Sequence, residues 1–124
     1  MFFIPAGALH AGTTVRLLAL SHANSAGSGA FRIRVEDTLF NDVMVDVNAD
    51  KAVHKLGAYI YSDAATNGIQ VFANNVCCNA AQSSFSSTIS ANRDLFVFYE
   101  VRIETSGQQW TSDFFFAEML TDYQ

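Results

Sequence analysis

The chain has 124 residues, 50% of them hydrophobic and only 15% charged, with 7 Lys+Arg against 12 Asp+Glu. That length is one domain, residues 1–124, which can bury roughly two thirds of its unfolded surface with no disulfide or metal staple. A net charge of −5 argues against nucleic acid as a partner, because phosphate binding needs clustered Lys and Arg, and a charged fraction below the usual ~25% leaves apolar surface to be covered by Ser, Thr and Asn or by other chains.

In chain order, Met1-Phe2-Phe3-Ile4-Pro5-Ala6-Gly7 is apolar, yet no base precedes Arg16, and Pro5 and Gly7 interrupt the run. A secretory signal is therefore not expected. Apolar runs such as residues 95–99 and 114–117 fall far short of the ~18 residues that a membrane-crossing helix needs, so no membrane partner is expected. Residues 2–4 and 14–20 read as strands. Phe31-Arg32-Ile33-Arg34-Val35-Glu36 alternates strictly, with Phe31, Ile33 and Val35 on one face. Asp42-Val43-Met44-Val45-Asp46-Val47-Asn48 repeats the pattern after Asp37-Thr38-Leu39-Phe40-Asn41, a length suited to a hairpin loop. Pairing of the two runs sets Arg32 and Arg34 near Asp42 and Asp46.

Residues 49–56 allow two helical turns capped by Asn48 or Asp50, or an irregular strand. Further strands are expected at residues 58–62, 69–73, 84–89, 94–104 and 110–120, divided by turn compositions at residues 25–29, 63–68 and 106–108. Residues 74–83, which include Cys77-Cys78, read as a loop. The pattern predicts an all-β chain: an antiparallel β-sandwich, jelly-roll-like, of about eight to nine short strands with at most one short helix.

Chemistry is sparse. His10, His22 and His54 lie at no metal-ligand spacing with one another or with Cys77, and no metal is expected. Asp46-Val47-Asn48-Ala49-Asp50 alternates oxygen ligands as calcium loops do, but Lys51 stands where a turn glycine is needed and no bidentate Glu follows. Cys77 or Cys78 with His54 and Asp50 would be the nucleophile set, without local positioning or a Gly-x-Ser-x-Gly elbow, and no glycine loop cradles phosphate. No enzyme and no cofactor are therefore expected. Adjacent cysteines give no disulfide framework, and none of the eight Asn lies in an Asn-x-Ser/Thr sequon, which suits a reducing cytoplasm. Glu100 and Glu104 flank Arg102 on a strand face and read as a self-compensating ladder.

The aromatic residues carry more information. In residues 94–104 one face is Leu95, Val97, Tyr99, Val101 and Ile103, an inner face, while Phe96 and Phe98 on the other need cover of their own. In residues 110–120, Phe115 points away from Phe114 and Phe116, so that strand is expected to be buried on both sides. With Leu18, Leu20 and Phe72 these form an apolar excess whose two readings are a loop folded over it within one chain or an interface with other chains. The interface reading selects Leu18, Leu20, Phe72, Phe96, Phe98 and Phe115. Trp110, at the start of a strand, reads as a core or edge plug; in the rival reading it forms a glycan-contact set with Tyr59, Tyr61 and the Asn-rich residues 67–79.

The opening of the chain, Phe2-x-Ile4-Pro5-Ala6-Gly7-x-Leu9, then Gly12-Thr13, Val15-Arg16, Ala19-Leu20, a Gly/Ser-rich break and Phe31-Arg32-Ile33-Arg34-Val35, resembles that of jelly-roll modules in virion proteins of tailed bacteriophages. These include capsid decoration (cement) proteins and head-fibre and tail domains. The resemblance covers about a third of the chain, and the segments around Lys51 and Cys77 depart from it. It implies a virion protein assembled in the host cytoplasm, a homo-oligomer (commonly a homotrimer) that binds the major capsid protein or another virion protein and stabilises the shell, with no active site. The alternative from a different class is a lectin-like β-sandwich module.

Overall fold

The computed structural model describes residues 1–10, 12–27, 29–48, 53–63, 66–75 and 80–121. Nine strands follow in chain order: β1 Phe2–Ile4, β2 Thr13–Ala23, β3 Gly29–Asp37, β4 Asp42–Asn48, β5 Val53–Ser62, β6 Ile69–Asn75, β7 Ala80–Ser86, β8 Leu95–Ile103 and β9 Trp110–Thr121. They form two antiparallel sheets in the orders β1-β8-β3-β4 and β7-β6-β5-β2-β9. The period-two alternation of the sequence dictates this layering, since each strand turns one set of side chains inward. Val15, Leu17 and Ala19 of β2 meet Phe31, Ile33 and Val35 of β3 in one core, with Val43, Val45 and Val47 of β4 and Leu56, Ala58 and Ile60 of β5.

Most connections pass between the sheets, and β8 returns to lie between β1 and β3; only β3–β4 and the β5–β6–β7 meander stay within one sheet. Links that cross the sandwich also plug its ends. Leu9, Ile89 and Ala91 are buried loop residues, and the Gly7 N–H donates to the Ala91 carbonyl at 2.9 Å. On one long side β4 packs against β6 and β7. The opposite side is open, because three-residue β1 pairs only with Leu95, Phe96 and Val97 of β8.

Of the two readings open for residues 49–56, the strand holds where they are described: Val53, His54, Lys55 and Leu56 belong to β5, with alternate residues facing the core, residues 49–52 lie outside the described residues, and no helix occurs among those described. Other expectations are corrected. Of the expected loop at residues 74–83, positions 74–75 end β6 and 80–83 begin β7, held by the ladder that pairs Phe72 with Ser83 and Asn74 with Ala81, while residues 76–79 lie outside the described residues. The polar composition of β7 suits an edge strand. The hairpin forms as read, but only Arg32 meets its predicted partner: Arg32 Nε reaches Asp46 Oδ1 at 2.7 Å, whereas Arg34 pairs with Glu36 and Glu100. The register explains this, since Asp42 lies opposite Glu36 and Arg34 opposite Met44. Finally, Val101 and Ile103 share the inward face of Leu95 and Val97, as expected, but are 40% and 47% exposed, so that end of the face is left uncovered. From Tyr99 onward β8 has no β1 beside it and becomes the sheet edge.

Candidate functional site

The two outer faces of the sandwich differ in chemistry. On the four-stranded sheet the outward residues of β3, β4 and β8 form ion pairs: Arg32 with Asp46, Arg34 with Glu36 and Glu100, and Arg102 with Glu104 at 2.9 Å. The hydrogen bond from Arg32, with its charge, holds the Asp46 carboxyl below the usual carboxylate range. A shallow cavity of about 240 Å³ lies here, lined by Arg32, Asp46, Glu100 and Arg102 among others. Its arginines are already engaged by carboxylates. The aromatic groups of this face are also tied up within the chain. The Arg34 guanidinium lies 4.2 Å from the Phe98 ring centroid, and Phe96 packs on Phe3 at 5.6 Å.

The five-stranded sheet presents an apolar outer face. Register sets Phe116, Leu18 and Gly57 in one row across β9, β2 and β5, and Glu118, Arg16, Tyr59 and Phe72 in the next. Phe114, Leu20 and the exposed Lys55 form the row on one side, and Leu120, Thr14, Tyr61, Gln70 and Phe85 form the row on the other. One ion pair, Arg16 with Glu118, interrupts the patch. A Cβ at Gly57 would meet nothing within 4 Å, so the centre of this face is bare backbone between larger side chains.

The expected burial of residues 110–120 on both sides is corrected: β9 is the edge of the same sheet, with no strand beyond it, and is exposed on both sides. Phe114, Phe116 and Leu120 point outward and Phe115 and Met119 toward the core layer, yet all five are between 38% and 45% exposed. Phe115 leans on Phe2 and Tyr99, at 6.2 and 5.8 Å between centroids. Beside it, a groove of about 150 Å³ runs between β1 and β9, lined by Phe2, Ile4, Val15, Ala117 and Met119 among others.

The six residues selected from the sequence therefore do not form one surface. Leu18, Leu20 and Phe72 share the outer face of the five-stranded sheet, Phe96 and Phe98 lie on the opposite side of the molecule, and Phe115 lines the open side of the sandwich. Phe114, Phe116, Leu120 and Phe85 were missed as members of the first group, although the alternation of β9 already placed Phe114 and Phe116 together. Leu39 and Phe40, at the tip of the β3–β4 turn, were missed too. Phe40 is 85% exposed and holds φ at 63°, a conformation that bulky side chains disfavour.

Trp110 does not join Tyr59 and Tyr61. A bulge between Leu20 and Ser21 of the β2–β9 ladder changes the phase of β9, so that Trp110 points inward while Phe114 points outward. Its ring packs edge-on against Phe31 at 4.9 Å, and its Nε1–H donates to Gln108 Oε1 at 3.1 Å. His54 is buried and stacked on Phe31 at 4.0 Å, while Asp50, Cys77 and Cys78 lie outside the described residues. Of the calcium-like run, Asp46 is committed to Arg32 and positions 49 and 50 lie outside the described residues. His22, read as a surface residue, is half-exposed and contacts Asp113 at 2.7 Å. Among the described residues no group of three or more His, Cys, Asp or Glu is placed to hold a metal. The chain matches no protein-family model, no curated protein and no solved structure.

Proposed function

We propose that the chain is a structural protein of a virion, a capsid decoration protein that packs on the major capsid shell through the outer face of its five-stranded sheet. Its work is binding, with no turnover of a substrate. The observation that carries this reading is the run of apolar side chains across that face, from Phe116 and Leu18 through Tyr59 and Phe72 to Phe85. A surface of this extent on a small domain marks an association site, and aromatic residues are enriched where such sites are buried. The virion assignment itself comes from the resemblance of the first third of the chain. Mixing the purified protein with expanded shells of the phage that encodes it should give saturable binding at a fixed ratio to the major capsid protein, with a higher melting temperature for the decorated shell. Shells and finished particles that carry none of the chain overturn the proposal.

A further inference from the structure

We infer that the β9 edge pairs with the β9 edge of a second copy, antiparallel and centred on Ala117, so that two five-stranded sheets become one continuous sheet. Self-pairing deepens the structural role proposed above, yet it is measured on the free chain, so a lack of pairing and a lack of shell binding are separate results.

Edge strands present unpaired N–H and C=O groups, and folded proteins blunt them with short length, Pro, charge or bulges. β1 follows that rule with three residues and a Pro5 after it, and β4 with Asp42 and Asp46. β7, which is largely Ala, Gln and Ser, carries none of these devices, but β4 packs against it and closes that side of the sandwich. β9 has no such protection. Its bulge lies near Asp113, and residues 114–121 continue without Pro, Gly or Lys. Their one charge, Glu118, is paired with Arg16 of β2.

Exposure on both faces of one strand points to a missing lateral neighbour, whereas a patch for a partner stacked on the sheet would be exposed on one face only. The β9 sequence is complementary to itself in one register. Centred on Ala117, Phe114 lies opposite Leu120, Phe115 opposite Met119 and Phe116 opposite Glu118, so each ring meets a flexible side chain and the smallest residue lies on the axis. Phe115 of the second copy then reaches the mouth of the groove beside Met119, whose volume of about 150 Å³ is that of a cavity that takes a benzene ring. Other centres fail. Glu118 on the axis would oppose two carboxylates, Phe116 on the axis would draw the Asp113 bulge into the ladder, and a centre between residues would set inward side chains against outward ones.

Two copies joined in this way are related by a twofold axis, which gives a pair in place of the trimer that the resemblance implies. Light scattering on the eluting free protein should read twice the 13.6 kDa of one chain. Leu120→Lys and Met119→Lys, each introduced twice across the axis, should raise the dissociation constant about tenfold or more, while Phe85→Lys on the opposite edge should leave the pair intact. In a Cys77→Ser, Cys78→Ser background, Ala117→Cys, with its Cβ facing its own copy at about 5 Å, should give a disulfide-linked pair under mild oxidation that the same background with Ala117 does not form. If a Lys variant loses its cooperative melt, the Ala117→Cys cross-link decides the question. A monomer, a trimer, or a pair broken by Phe85→Lys and not by Leu120→Lys overturns the inference.

Discussion

Asp37 ends β3 with its carboxylate buried and four donors around it. The Leu39 and Asn41 backbone N–H groups donate to Oδ1 at 2.8 and 3.0 Å, and Asn41 Nδ2 and Arg93 Nη1 donate to Oδ2 at 3.3 and 3.1 Å. Burial alone would push this carboxyl up, but the hydrogen bonds from Leu39 and Asn41 and the Arg93 charge outweigh it and hold the group below its ordinary value. One side chain thus shapes the hairpin turn and ties it to the loop before β8. Hydrogen bonds to charged groups are worth about 1.5–3 kcal/mol, so Asp37→Asn should destabilise the fold by roughly 2 kcal/mol in urea titrations near neutral pH. The pH dependence has a defined sign. A depressed folded-state pKa contributes stability that is fully present above the unfolded value of about 3.9 and is lost as pH falls through the folded value. The gap between wild type and Asp37→Asn should therefore narrow in acid. A constant gap down to the acid transition would mean that the carboxylate charge contributes nothing.

Strand existence was legible because alternation is a property of each strand alone. β1 and β4 have the predicted bounds, and the paired runs 31–36 and 42–48 form the expected hairpin. What depends on neighbours was not legible. Val101 and Ile103 alternate as perfectly as Leu95 and Val97, yet only the latter two have β1 beside them. The bulge in β9 is equally silent in the sequence, since nothing in Trp110-Thr111-Ser112-Asp113 announces that residues 110 and 114 face opposite sides. That phase change puts Trp110 in the group with Phe31 and His54, as the plug reading has it, and takes it out of the rival glycan-contact set. As the only tryptophan, it reports directly on this geometry. Native emission should be blue-shifted and weakly quenched by acrylamide, and Trp110→Ala should cost about 3 kcal/mol, at the low end for an aromatic truncation because the ring is only partly buried. Emission typical of a solvated indole, or an unchanged melt in Trp110→Ala, would restore the surface position and with it the glycan-contact set.

At the scale of the whole molecule, the low charge content is distributed unevenly, and the asymmetry gives the sandwich a direction. Three arginines of the four-stranded sheet are matched by carboxylates on its outer face, whereas the outer face of the five-stranded sheet has, among the described residues, only the Arg16–Glu118 pair within its leucine and aromatic side chains, with Lys55 and the His22–Asp113 pair toward one end. Exposed ion pairs contribute little to folding and keep a face wet, so the first sheet is suited to solvent and the second to cover. The two faces should separate under mutation. Leu18→Lys and Phe72→Lys, on half-covered side chains that point away from the core, should change folding stability by no more than about 1 kcal/mol and weaken attachment to shells at least tenfold, read by cosedimentation. Arg102→Ala on the other face should leave attachment unchanged, because breaking an exposed pair with Glu104 removes neither apolar area nor a buried charge. Equal losses from both faces would mean that attachment does not read this asymmetry. Loss from Arg102→Ala alone would place the shell on the charged sheet and leave the apolar face to other copies of the chain.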